Sequence, residues 1–212
     1  MPNYADIIPV DHLERKFGEL EHRIIARNTT ELRKSLPAQI PGICMFIWDE
    51  MVDRGLVRDP YKIGPIIHRN YKGIYEFVSR ELGREAIDDA FAEKYFNKID
   101  PSESFVDFSI ARCFPDDLHI VDIELSDNTR PLARTDPSRE FRQYHGLHLF
   151  GEVLERIRAV AREEGVSRLS LMVAHAPLHH VFSRHGFKVG KSVMAQAAYQ
   201  QVGFGHSMYL EL

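Results

Sequence analysis

The 212-residue sequence has few cysteines and no long apolar run. Its two cysteines, Cys44 and Cys113, lie far apart, which excludes a disulfide framework or a cysteine-based zinc site and favours reduced structural thiols. No apolar stretch approaches the roughly 20 residues that span a bilayer. Residues 1–10 lack the basic and apolar regions of a secretory signal. We therefore expect a cytoplasmic protein that does not act at a membrane.

The chain also lacks a surplus of positive charge. Its formal net charge is −4, with 15 basic and 17 acidic residues up to residue 100 and 12 and 14 after it. Neither half therefore has the basic excess that attracts nucleic acid or an anionic membrane surface. We expect no nucleic-acid partner. Apolar residues make up 44% of the chain, which is enough for a globular core.

The first hundred residues are predicted to be mostly helical, because apolar residues recur at spacings of three and four. Helices are predicted over 11–28, 43–57, 63–82 and 84–99, with a buried strand as the alternative at the start of 43–57. The pattern changes near residue 104. The sequence therefore predicts a mostly helical N-terminal region over 1–103 and a second region over 104–212, the two forming one compact unit.

The second region alternates strands with helices. On the predicted strand His119–Ser126, the side chains of Val121, Ile123 and Leu125 are expected to share one face, and those of Asp122 and Glu124 the other. A strand, a crossover helix and another strand form a βαβ unit, which predicts a right-handed parallel crossover. The expected fold class is α/β (α+β), a mixed central sheet flanked by helices. The predicted elements are strands over 105–113, 119–126, 167–174, from 187 and over 207–212, helices over 149–164 and 177–185, and a loop over 128–139.

Three motifs in this second region resemble the acyl-CoA-binding core of the GNAT N-acyltransferases. Gln143-Tyr144-His145-Gly146-Leu147-His148 stands directly before the long helix, where that family has Gln/Arg-x-x-Gly-x-Gly/Ala. Residues 161–173 are similar to the family's helix end, glycine and following strand. Residues 181–189, with Gly186-Phe187, are similar to Leu-Tyr-x-x-x-Gly-Phe, and Met208–Leu210 to a final strand. The resemblance covers about half the chain, the C-terminal half, and implies a GNAT-like sheet with a helical N-terminal extension.

The resemblance implies that an acyl group, most simply acetyl, passes from acetyl-CoA directly to a primary amine of a small molecule or peptide. Unpaired N–H groups at a helix N-terminus and a glycine beside them suit the CoA pyrophosphate. Glu124, on the strand before this loop, is the expected general base, and Tyr144 is a candidate acid. No metal ligand is implied, and a homodimer is left open. The residues expected to bind the acyl donor are Arg142, Gln143, Gly146, Leu147, His148, His175 and Phe182.

The sequence departs from the family's pattern at three of these positions. His148 replaces the second glycine or alanine of the phosphate loop, and His175 stands at a frequent asparagine. Phe182 falls where the family has a tyrosine that donates a proton to the leaving thiolate. A catalytically degenerate GNAT-like binding or regulatory module therefore remains an alternative.

The histidines suggest a second alternative, because seven of the eleven lie after residue 144. The pairs His145-x-x-His148 and His175-x-x-x-His179 have spacings that suit zinc ligands on a helix. No acidic residue or cysteine completes a known zinc signature beside them. A histidine-rich metal-binding protein is therefore kept as the second alternative.

Overall fold

The computed structural model describes residues 4–69, 71–98, 104–140 and 142–212, which form a sheet with helices on both faces. The strands are β1 (Leu20–Ala26), β2 (Ile87–Asn97), β3 (Ser104–Cys113), β4 (Asp117–Pro131), β5 (Tyr144–Gly146), β6 (Arg168–Met172), β7 (Lys188–Val189) and β8 (Ser207–Glu211). The α-helices are α1 (Val10–Phe17), α2 (Thr29–Ser35), α3 (Ile40–Asp53), α4 (Gly64–Arg69), α5 (Ile74–Leu82), α6 (Phe150–Glu163), α7 (Ala176–Arg184) and α8 (Val193–Gln201).

The strands lie in the order β1-β2-β3-β4-β6-β8-β7, and β5 pairs with the outer end of β4. Among the described strands, the pairings are antiparallel except that of β4 with β6, which α6 connects as a crossover helix. The predicted fold class, a mixed α/β sheet flanked by helices, is confirmed. The βαβ unit also lies where the sequence placed it.

Two hydrophobic cores cover the two faces of the sheet. On the first face, α6 packs Val153, Leu154 and Ile157 against strand residues such as Phe108 and Ile120. On the second face, the buried core comes largely from the first ninety residues. Its helical members include Ile43, Phe46, Ile47, Trp48, Phe77 and Val78. Among the described residues, no helix has the length and apolar character to cross a membrane.

Two helices predicted in the first hundred residues are wrong. Over 11–28 the structure has α1 and then β1, separated by Gly18, whose φ of 78° favours glycine. Over 84–99 it has β2, which pairs along β3. Both errors have the same cause, because apolar residues four apart suit a helix face and also recur on one face of a strand. The N-terminal region therefore supplies two strands to the sheet in addition to its helices.

Other boundaries differ less. Helix α3 confirms the helical interpretation of its segment, whereas the helix predicted over 63–82 is two helices, α4 and α5, with Asn70 between them outside the described residues. The predicted loop over 128–139 begins as the end of β4. Strand β5 and helix α8 were not predicted. The boundary suggested near residue 103 falls outside the described ranges and stays a prediction.

Candidate functional site

Strands β4 and β6 part at the centre of the sheet. Their parallel register ends with Ile120 opposite Leu171, although β4 continues to Pro131. One rung earlier, the buried His119 ring nitrogen Nδ1 lies 3.0 Å from the Ser170 hydroxyl. Burial lowers the pKa of His119 to about 3, so this polar cross-link is neutral. The two strands are therefore tied together one rung before their pairing ends, and β4 continues without β6 as a neighbour in the ladder.

A β-bulge lies where the pairing of β4 with β6 ends. In the β3–β4 pairing, Ser109 is opposite Asp122 and Ile110 is opposite Ile120, so Val121 is an extra residue on β4. The bulge turns Val121 to the second face, whereas Ile123 and Leu125 pack on the first. The prediction that these three side chains share one face is therefore wrong for Val121. Bulges re-aim side chains and interrupt pairing, and they are enriched next to active sites.

The predicted phosphate loop is held against β4. Gly146 pairs with Ser126, and the Leu147 N–H donates to the Leu125 carbonyl at 2.9 Å. His148 follows with φ of 61°, the one positive value among the non-glycine residues of the described chain. Glycine adopts this left-handed conformation without strain, whereas a residue with a Cβ atom does not.

The loop leads directly into the N-terminus of α6. The first N–H groups of a helix have no partner within the helix and carry partial positive charge. The N-cap residue, Leu149, makes no side-chain hydrogen bond to the first turn of the helix. The Arg142 guanidinium approaches from the side, with Nη1 3.6 Å from the position that a Cβ atom on Gly146 would occupy. This end of α6 can therefore bind an anion between N–H groups and a cationic side chain.

The other residues predicted to bind the acyl donor are Gln143, Phe182 and His175, and they have different surroundings. The Gln143 carbonyl accepts a hydrogen bond from Leu132 N–H at 2.9 Å, and its side chain is exposed. Phe182 is buried on α7, with its ring 5.5 Å from that of Phe150, the first residue of α6. His175 is the N-cap of α7 and lines a separate, open cavity of about 680 Å³. The geometry thus brings Phe182 to the start of α6 and places His175 at another opening.

The two predicted catalytic residues are far apart along β4. Glu124 is exposed, accepts a hydrogen bond from the Ser126 hydroxyl at 2.9 Å and lies directly opposite Asp107 on β3. Tyr144 lies opposite Pro131, at the far end of the strand from the bulge. Glu124 is therefore close in sequence to the bulge, whereas Tyr144 lies beside the other end of β4 and its role as the acid stays a prediction.

A cavity of about 370 Å³ lies on the second face, between the loop joining α2 to α3 and strands β2, β3 and β4. Asp122 lines it and accepts a hydrogen bond from the Gln39 amide at 3.2 Å, while the Ser109 hydroxyl donates to the same amide group's oxygen at 3.0 Å. Lys94 is paired with Asp107. Sequence reasoning missed this cavity because two of its walls depend on β1 and β2, which were predicted as helices.

The charge around this cavity is mostly negative. Asp122 is an exposed residue, but desolvation of its carboxyl group, with the negative charges of Asp107 and Glu124, raises the pKa of Asp122 to about 6. Lys94 acts in the opposite direction. The raised pKa reflects desolvation of the carboxyl group first and the neighbouring negative charges second, and a bound cation would offset the second cause.

Histidines also meet outside this region. His179 Nδ1 on α7 lies 3.2 Å from Nε2 of the buried His206, and the Tyr199 ring stacks on His179 at 4.6 Å. Burial lowers the pKa of both histidines. Within the described residues, no group of three or more His, Cys, Asp or Glu side chains has a geometry that could hold a metal ion. The metal-binding alternative stays a prediction that elemental analysis would test.

The chain was compared with family models, curated proteins and solved structures, and only the solved structures gave matches. No family model and no curated protein matches the chain. A GNAT-family acetyltransferase from Staphylococcus aureus aligns over 92% of this chain and 99% of its own, with 9% identity and a TM-score of 0.39. An acetyltransferase from Streptococcus agalactiae aligns over 91% and 98%, with 11% identity and a TM-score of 0.36. A candidate streptothricin acetyltransferase from Bacillus anthracis, in complex with acetyl coenzyme A, aligns over 58% and 63%, with 10% identity and a TM-score of 0.37. Two of these alignments extend over more than nine tenths of this chain, whereas the sequence motifs lie in its second half.

Proposed function

We propose that this protein is an acyl-CoA-dependent N-acyltransferase that transfers an acyl group, most simply acetyl, to a primary amine. The observation that carries the proposal is the parting of β4 from β6 after Ile120 and Leu171, next to the Val121 bulge and the uncapped end of α6. A gap between strands exposes main-chain groups that can hold a thioester. A helix N-terminus beside it suits the pyrophosphate of the same donor.

In the proposed donor site, the pyrophosphate lies against the N–H groups of His148 and the first turn of α6, with Arg142 as a cationic neighbour. Gly146 leaves room for the approach, and Leu147 anchors the loop to β4 through its bond to Leu125. Gln143 supports the loop from its outer side. Phe182 offers an apolar contact beside Phe150. His175 is assigned a contact to the more distant part of the donor.

The chemistry proposed is direct attack. The acceptor nitrogen lone pair forms a bond to the thioester carbonyl carbon, and Glu124 removes a proton from that nitrogen, directly or through water. The tetrahedral intermediate collapses by breaking the carbon–sulfur bond, and the departing CoA thiolate takes a proton from solvent. Phe182 has no proton to give, so the thiolate must leave without the usual tyrosine. Holding donor and acceptor together would supply much of the rate enhancement.

We place this activity in the cytoplasm, where the buried unpaired thiols of Cys44 and Cys113 would stay reduced. Incubation of the protein with acetyl-CoA and a panel of amines tests the proposal, with released thiol and acylated amine both measured. Stoichiometric formation of both products supports it. Saturable acetyl-CoA binding without turnover across the panel would support the degenerate, regulatory alternative instead, which the loss of the tyrosine at Phe182 favours.

A further inference from the structure

Building on the proposed acyl transfer, we infer that the cavity between the α2–α3 loop and strands β2 to β4 is the acceptor site, and that it selects a linear aliphatic diamine over singly charged or neutral compounds.

The lining divides into an apolar rim and a polar floor. The rim is formed by Ile25 at the end of β1, Leu36, Pro37 and Ala38 in the α2–α3 loop, and Ala92 on β2. The floor presents Asp107, Ser109 and Asp122, with Gln39 across it. Apolar walls suit a methylene chain, whereas carboxylate, hydroxyl and amide oxygens suit the N–H groups of an ammonium. This combination favours an aliphatic amine over an aromatic or anionic ligand.

The floor carries more negative than positive charge. Asp107, Asp122 and the buried Glu93 line the cavity, and burial raises the pKa of Glu93 to about 8. The negative charge therefore comes from the two aspartates and from Glu124, which lies directly opposite Asp107 across the β3–β4 pair. Lys94 is the one basic side chain among the described residues of the lining, and it pairs with Asp107. Even so, Oδ1 of Asp107 is buried and has no hydrogen-bond partner in the described structure. A buried acceptor without a donor is costly, and an ammonium entering the cavity would supply one.

The spacing of the two carboxylates favours two positive charges on one ligand. Asp122 is opposite Ser109, two residues along β3 from Asp107, so the two aspartates are diagonal neighbours on one face of the sheet. Such diagonal pairs lie about 7–8 Å apart. Two ammonium groups joined by four methylene carbons can reach both carboxylates at that spacing. Lys94 already pairs with one oxygen of Asp107, so a monoamine bound at Asp122 would leave the other, unpartnered oxygen of Asp107 without a donor.

The position of the cavity then assigns different roles to the two ends of the ligand. Asp122 directly follows the Val121 bulge, where β4 leaves β6. An amine beside Asp122 would therefore lie next to the gap proposed to hold the thioester, and near Glu124 on the same face. The other ammonium, at Asp107, would anchor the acceptor. Asp122 and Asp107 are thus specificity residues. Glu124 keeps the role of proton acceptor and takes the proton that the ammonium beside Asp122 loses before its nitrogen attacks the thioester, and the proton lost after attack passes to solvent.

Isothermal titration calorimetry tests this inference by measuring the affinity of the full chain for 1,4-diaminobutane, butylamine and 1-butanol in the absence of CoA. We expect the diamine to bind at least tenfold more tightly than butylamine, and butanol not to bind measurably. Asp107→Asn and Asp122→Asn should each weaken diamine binding by about tenfold. Asp53→Asn makes the same chemical change at an exposed position on α3 and should leave binding unchanged.

Equal affinity for the diamine and butylamine would overturn the inference, as would diamine binding that neither cavity variant weakens. Thermal unfolding of each variant checks that it is folded, and Gln39→Ala serves as a further cavity variant if Asp107→Asn is not. Acetyl-CoA binding is measured on the same samples. Diamine binding without acetyl-CoA binding would contradict the acyltransferase proposal alone, whereas transfer to other amines without diamine binding would contradict this inference alone.

Discussion

The main-chain N–H of Leu147 donates a hydrogen bond to the carbonyl oxygen of Leu125 at 2.9 Å. Leu125 follows Glu124 on β4, and Leu147 follows Gly146 in the loop that leads into α6. One backbone bond therefore fixes the proposed pyrophosphate loop against the strand that bears the proposed base. In a reaction that depends on orientation, such a direct link limits how far donor and base can move relative to each other.

Replacing Glu124 by Gln should lower kcat by about 10²–10⁴-fold, because the amide cannot accept the proton that the attacking amine loses. The affinity for acetyl-CoA should not change, since the carboxylate is not assigned to the donor. Steady-state kinetics and equilibrium binding measure the two quantities. Glu163→Gln, at an exposed site near the end of α6, is the matched control. Normal turnover by Glu124→Gln would remove Glu124 from the mechanism.

His148 adopts a left-handed backbone conformation with φ of 61°. His148→Gly should therefore raise the free energy of unfolding by up to about 1 kcal/mol and preserve acetyl-CoA binding. His148→Val should lower both the free energy of unfolding and the affinity for acetyl-CoA, because a β-branched residue is strained in that conformation. Denaturant unfolding and titration with acetyl-CoA measure the two effects. If the His148→Val variant binds acetyl-CoA as tightly as the His148→Gly variant does, the backbone conformation at residue 148 does not determine pyrophosphate binding.

Glu93 on β2 is fully buried beside Tyr95, with the His22 ring nitrogen Nε2 2.8 Å from its carboxylate. Burial raises the pKa of Glu93 from 4.5 to about 8, so the folded state holds a proton that the unfolded state has lost over that range. The free energy of unfolding should therefore fall as pH rises from about 4.5 to about 8.

Glu93→Gln should remove the part of this fall that Glu93 contributes, since the amide resembles the protonated acid. Urea unfolding at pH 5 and at pH 8.5 should show the variant close to the wild type at the lower pH and more stable at the higher one, on the order of a few kcal/mol. Exposed Glu14 on α1 offers the control substitution Glu14→Gln. A variant whose stability relative to the wild type is independent of pH would show that Glu93 is ionised in the folded protein.

Diamine binding should itself depend on pH through Asp122. Its pKa of about 6 is set by desolvation and by the carboxylates of Asp107 and Glu124, opposed by Lys94, while Gln39 and Ser109 carry no charge. Affinity should be full above this pKa and should fall as pH drops through it, because a protonated carboxyl no longer attracts a cation. Titrations between pH 5 and pH 8 measure the fall, which Asp122→Asn should abolish. A pH-independent affinity in the wild type would contradict this assignment.

The second half of the chain was far more predictable than the first. Strand β3 alternates apolar and polar residues and α6 has a single apolar stripe, so each shows one clear period. In β2, buried residues occur on both faces, with Phe91 and Tyr95 on the first and Ala90 and Ala92 on the second. The sequence of such a strand does not alternate between apolar and polar residues. The aromatic residues at 91, 95 and 96 were the available signal, because aromatic residues are enriched in strands.

The site was predicted in part, for a related reason. The loop from Arg142 to His148 could be recognised because it is local, a glycine placed directly before a helix. The Val121 bulge and the cavity could not, since they arise from the register between β3 and β4 and from packing of the α2–α3 loop. The loop residue Gln39, seventy residues before Ser109, meets it only in the folded chain. Long-range pairing of this kind leaves no pattern at a fixed sequence spacing.

The most direct test of the account is a thermal-unfolding titration of the wild-type protein with acetyl-CoA, with desulfo-CoA and ATP as controls. A ligand at 100 times its Kd stabilises the folded state by about 2.7 kcal/mol, which for a chain of this length raises Tm by about 5–11 °C. We predict a saturable rise with both CoA compounds and none with ATP. No rise up to millimolar acetyl-CoA would make the loop before α6 an ordinary turn and would contradict the acyltransferase proposal.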